Sequence, residues 1–185
     1  MTLLEAINYA LPYMGEATVT SVDVRHPTVA LIVRALDDHR KSLQGGTWWF
    51  NDKRVKLYPD SEQAIATPSD VITLVAVDDK YLVEERNGRL YDLTNDTYLF
   101  TEMIEVQIKE NLPFEELPHW AAEVVKQRAA RQVYVQDYGI ESTIKELAAK
   151  ETEATNQLMH EHLRKRKFSS AKSPRAGRFM RALRA

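Results

Sequence analysis

The chain has 185 residues, enough for one domain or two intimate subdomains with a proper core, and its 44% hydrophobic and 28% charged content is ordinary for a globular protein. No apolar run approaches the roughly 18 residues of a membrane span, and MTLLEAINYALPYMGEA lacks the basic start and small-residue cleavage site of a secretory signal. The absence of cysteine excludes a disulfide framework and thiolate metal sites, while the net charge of −2 hides a split between an acidic body and a basic end.

Thr2 and Glu5 form a capping box, and Leu3, Leu4, Ile7, Ala10 and Leu11 mark one face of a first helix, which Pro12 and Gly15 limit to about three turns. TVTSVDV reads as a linker or short strand. Pro27 opens a second helix with its stripe at Val29, Ile32, Val33, Leu36 and Leu43, and Gly45 suits the C′ position.

Past Gly46 the apolar period shifts toward 2. WWFN, KRVKLYP, IAT, VITLVAVD, YLVEERN, RLYDLTNDTYLF and IEVQIKE read as strands, with Asn87-Gly88 a strong hairpin turn. Connections this short predict an antiparallel or mixed sheet. Helical character returns after Pro118, with Ala121, Val124, Val125, Ala129 and Val133 on one face and Gly139 as the stop. A last helix over 140–165, about 39 Å long at 1.5 Å per residue, carries Ile140, Ile144, Leu147, Ala148, Leu158, Met159 and Leu163.

The expected fold is α+β: a four-helix bundle with an inserted, mostly antiparallel or mixed β subdomain and a basic C-terminal arm. Its expected parts are a helical pair at 1–45, the β subdomain at 46–112, a second helical pair at 113–165 and the arm at 166–185. Gly45 and Gly46 would turn the chain out of the bundle. Trp48, Trp49 and Phe50 would fill the joint between the two parts, each aromatic burying about 150–250 Å². A subunit interface or a ligand-stacking surface are the other readings of the tryptophans.

Nine of the 25 Lys and Arg residues fall at or beyond Arg164, and none of the 27 Asp and Glu residues do. The body therefore holds 16 cations against 27 carboxylates, −11, and the tail is at +9. Arg164, Lys165, Arg166, Lys167, Lys172, Arg175, Arg178, Arg181 and Arg184 give this arm its charge, with Phe179, Met180 and Leu183 among them. Arginines at every third position drift around a helix and form no single groove-reading face. The arm suits an acidic protein surface or a nucleic-acid backbone, or stays solvated.

Catalytic chemistry leaves little trace. There is no P-loop, GxGxxG, GxSxG or HExxH. His160 and His162 are two apart and read as solvated helix-face residues, and the pairs Asp78-Asp79, Glu84-Glu85 and Glu115-Glu116 read as turns or solvated faces. The expectation is no catalytic, cofactor or metal site.

Gly46-Thr47-Trp48-Trp49-Phe50-Asn51 after a helix resembles the GW-x-FN signature of the tail tubular protein A family. Leu57-Tyr58-Pro59-Asp60 is similar to that family's LLPD segment, and Arg86 to Asp92 to its RGG-x-x-YD hairpin. Phe114 to Pro118, followed by Arg128 to Arg131, is similar to its YDEMP and KASR segments. The doubled tryptophan and the basic arm depart from the pattern. The resemblance implies an adaptor ring of twelve copies in the virion tail of a short-tailed phage, assembled in the host cytoplasm. Its implied partners are the portal protein, the tail nozzle protein (tail tubular protein B) and tail fibres, with non-specific DNA contact in the channel and no membrane. It also implies a role in genome retention and ejection. The alternative is a nucleic-acid-binding protein acting through the arm. No residue set supports a cell-envelope hydrolase.

Overall fold

The computed structural model describes residues 1–23, 25–140 and 142–167. Thr2 caps α1 (Leu3–Ala10): its hydroxyl accepts from the Glu5 N–H at 3.1 Å, and the Glu5 carboxylate accepts from the Thr2 N–H at 2.8 Å. Pro12 tightens the next turn into a 3₁₀ helix, Leu11–Met14, and Gly15 ends it in the left-handed region at φ 71°. The linker that follows contains no strand among its described residues. α2 spans Pro27–Gln44. Gly45 caps it with right-handed backbone at φ −59°, not the left-handed stop common at C′.

Five strands follow: β1 (Asp52–Leu57), β2 (Val71–Ala76), β3 (Val83–Arg86), β4 (Arg89–Asp92) and β5 (Ile104–Glu110). They form two small antiparallel sheets, one in the order β1-β5-β2 and one the β3-β4 hairpin. Asn87 and Gly88 both take positive φ, 55° and 75°, as a tight hairpin turn demands. Leu57, Ile65, Val83, Leu90, Phe100, Ile104, Val106 and Ile108 form the apolar cluster of this region.

Three expected strands are corrected. WWFN is a turn, because its polar groups bond to the end of α2. IAT makes one isolated bridge only, Ala66 to Arg89, next to the Ala64–Leu99 bridge that precedes it. RLYDLTNDTYLF leaves the ladder after Asp92, whose carboxylate accepts from the Thr94 and Asn95 N–H groups at 2.8 and 3.3 Å and closes a loop.

α3 (His119–Tyr138) buries Ala121, Val124, Val125, Ala129 and Val133 completely, and Gly139 ends it at φ 74°. α4 runs over Ser142–Lys165. Leu147, Ala154 and Leu158 are its buried row, whereas Ile140 precedes the helix and is 92% exposed. Met159 and Leu163 fall one position past that row and are also exposed, so the buried row is narrower than the expected stripe. α2 and α4 both pack along α3, α1 packs on α2 and α3, and all four helices contribute to one apolar cluster.

Candidate functional site

The chain passes between helices and strands twice, outward at 46–51 and back at 111–113, and both passages meet the C-terminal end of α2. Gly46 has no room for a side chain: a Cβ there would lie 2.9 Å from the Trp48 indole nitrogen and 3.3 Å from the Leu43 carbonyl. That space is used. The Trp48 indole N–H donates to the Leu43 carbonyl at 2.7 Å, which also accepts from the Gly46 N–H at 3.1 Å, so the two together close the end of the helix. The Trp48 backbone N–H donates to the Asn51 side-chain oxygen at 3.1 Å, and the Asn51 amide donates to the Gln44 carbonyl at 2.6 Å.

Gln44 and Asn51 are fully buried polar residues, which are stable only when bonded. Gln44 meets the returning passage reciprocally: its amide donates to the Leu112 carbonyl at 2.9 Å and its oxygen accepts from the Leu112 N–H at 2.7 Å. The Arg40 guanidinium adds bonds to the Leu112 carbonyl at 2.5 Å and the Asn111 side chain at 2.7 Å. Asp37 holds Arg40 at 2.6 Å, and the Lys41 and Arg40 bonds keep the Asp37 carboxyl below its usual range. Lys109 donates to the Gly45 carbonyl at 2.8 Å, and the Glu110 N–H to the Asn51 carbonyl at 2.9 Å.

Trp48, Trp49 and Phe50 are half-buried and pack on the helical cluster. Trp48 stacks parallel on Phe50 at 6.2 Å, and Trp49 stands edge-on to Phe50 at 5.1 Å. His162, from the last turns of α4, completes the group, 5.3 Å from the Trp48 ring and 6.0 Å from the Trp49 ring. Burial, and after it the Arg166 cation, lower the His162 pKa below its ordinary value. A ring enclosed by indoles loses the water that would stabilise its charged form. This corrects the reading of His162 as solvated; His160 is exposed. The usable signal was helical spacing, since His162 lies one turn past the buried Leu158.

Four arm residues are described. Arg166 pairs with Asp52 at the start of β1, Arg164 lines a polar cleft with Trp120, Gln157, His160 and Glu161, and Lys165 and Lys167 are exposed. Arg175, Arg178, Phe179, Arg181 and Arg184 lie outside the described residues. Sequence reasoning missed Gln44, Asn51 and Arg40, the polar residues that bind both passages.

Residues 4–168 match the family model described as Tail tubular protein. Tail tubular protein A of Klebsiella phage KP34 is 32% identical to this chain over 184 residues, covering 98% of each. The chain belongs to the tail tubular protein family. A tail tubular protein is a structural component of the phage tail. None of the helices among its described residues is long and apolar enough to cross a membrane. At the junction of this tail tubular protein, the Gln44 and Asn51 amides and the Trp48 indole all bond to backbone carbonyls of the returning passage or of the α2 end.

Proposed function

We propose that this tail tubular protein is the adaptor of a short phage tail, a ring of twelve copies between the portal protein and the nozzle protein, with tail fibres attached nearby. The ring extends the DNA channel, helps retain the genome and supports its ejection. The four helices act as one bundle facing the portal, and the sheets project as the surface that meets the nozzle. Gly45, Gly46, Trp48, Trp49 and Phe50, with Gln44 and Asn51 beneath them, keep the two parts at a fixed angle.

The arm from Arg164 onward supplies the cations that meet the portal, with channel DNA as its second anionic neighbour. It works without catalytic, cofactor or metal chemistry. The observation that carries this reading is the near full-length relation to tail tubular protein A.

The test is assembly. Purified chain mixed with its portal should give rings in electron micrographs, and deletion of 168–185 should weaken that docking at least tenfold. A chain that stays monomeric by light scattering, with bare portals beside it, overturns the proposal. DNA binding by the free chain that is tight, salt-sensitive and lost with 164–185 would favour the nucleic-acid reading instead.

A further inference from the structure

The three-stranded sheet has two edge strands of different character. β1 and β2 are both six residues long, and β5 lies between them. β1 carries Lys53, Arg54 and Lys56, while β2, Val71–Ala76, has no charged residue. Sheet edges are commonly guarded against foreign strands by charge, proline or cover. β2 has none of the first two, and Val75 stands 62% exposed on it. β3 packs near β2 but belongs to the other sheet and adds no ladder to this edge.

The ladder fixes which backbone groups point outward. The Val77 N–H bonds to the Glu105 carbonyl, and Val75 and Thr73 pair with Gln107 and Lys109. By alternation, the amides of Leu74 and Ala76 face away from β5. On the other edge the Glu110 N–H bonds to the Asn51 carbonyl, so the outward groups are those of Asp52, Arg54 and Lys56. Both strands run antiparallel to β5 and are therefore parallel to each other.

We propose that β2 of one copy pairs in parallel with β1 of the next, so that one sheet runs on through neighbouring subunits. The occupant is a second copy because the charges select it. Arg54 and Lys56 have no carboxylate partner among the described residues. The carboxylates that flank β2 are Asp70 at one end and Asp78 and Asp79 at the other, with Lys80 paired to Asp78, so β2 and its flanks are net −2, whereas β1, with Asp52 against Lys53, Arg54 and Lys56, is net +2. A β1-to-β1 contact would set cations against cations, and a β2-to-β2 contact would set these carboxylates together. Only the unlike pairing joins edges of opposite net charge. That contact is heterologous, uses both edges of every copy and closes when the rotation allows. The inference rests on the ring proposed above.

Disulfide trapping tests it, since the chain has no cysteine of its own. Lys56→Cys with Val75→Cys places two thiols about 9.6 Å or more apart within one copy, two strand spacings, beyond the roughly 7 Å limit of a disulfide. Oxidised rings of this double variant on the portal should give a ladder of covalent multimers on denaturing gels, and each single variant should give none. Arg54→Cys with Val75→Cys covers the neighbouring register. Ala76→Pro removes an outward N–H that no bond within the copy uses; it should keep the monomer's circular dichroism and lower ring yield at least tenfold. Rings that form normally with no ladder from either pair overturn this proposal and leave the adaptor reading standing. An unmodified chain that forms no ring sinks both.

Discussion

The His162 ring stands edge-on to the Trp48 indole, with centroids 5.3 Å apart and planes at 80°. The contact joins the last turns of α4 to the residues that leave α2, positions 114 apart in sequence. It makes the junction sensitive to protonation. Burial and then Arg166 lower the His162 pKa; burial lowers that of His39 on α2, against a bond from Gln132 that raises it. Both rings stay neutral in the fold at pH values where the unfolded chain is already protonated. The unfolded chain then binds more protons, so stability present above about pH 6.5 is lost as pH falls toward the folded pKa values. Thermal unfolding followed between about pH 8 and pH 5 should show Tm level at the upper end and falling below about 6.5. His162→Phe, which keeps a ring on the indoles, should make that fall shallower.

Gly46→Ala forces a methyl group to 2.9 Å from the Trp48 indole nitrogen, so either the indole bond to Leu43 or the turn must yield. The expected loss is about 1–3 kcal/mol, as for other overpacked sites. Trp48→Phe keeps most of the apolar area but removes the donor, and should cost about 0.5–1.5 kcal/mol. Urea unfolding measures both, and equal losses would show that the bond matters more than the space.

Gln44→Leu removes both bonds to Leu112 and leaves that residue's N–H without its side-chain acceptor. A buried group left unsatisfied costs about 1–3 kcal/mol, and the variant should lose an amount in that range. Hydrogen exchange at the Leu112 amide should accelerate more than at Val106 in the middle of β5, because the damage is local.

Arg166→Ala breaks the pair with Asp52, whose arginine is 40% exposed. Solvent screening should hold the effect below about 1 kcal/mol. A double-mutant cycle with Asp52→Asn, run at low and high salt, checks this. A larger coupling would make the start of the arm a structural strap.

The regular elements were legible because each rests on a local signal. The Thr2 cap, Pro27, the Asn87-Gly88 turn and Gly139 all act within a few residues, and the structure uses each as the pattern suggests. The junction was only half legible. The glycine and tryptophan cluster marked its place, but Trp48 and Asn51 look like strand residues until the C-terminal end of α2 is there to accept their bonds. Gln44, Arg40 and His162 reach the junction through contacts 68 or more residues away, on which periodicity is silent. Ile140 failed in the opposite sense: hydrophobicity marked it as core, but it precedes α4 and faces solvent.

Gln44 grips the returning passage directly and holds the outgoing one through Asn51. The two chain crossings are thus anchored side by side on one helix end, like paired cables on a single bracket. A force drawn along the tail would load them together and rock the sheet about α2 instead of peeling one crossing before the other. Mechanical failure of the subunit should therefore be a single event at the α2 terminus, with strands and helices still folded on either side.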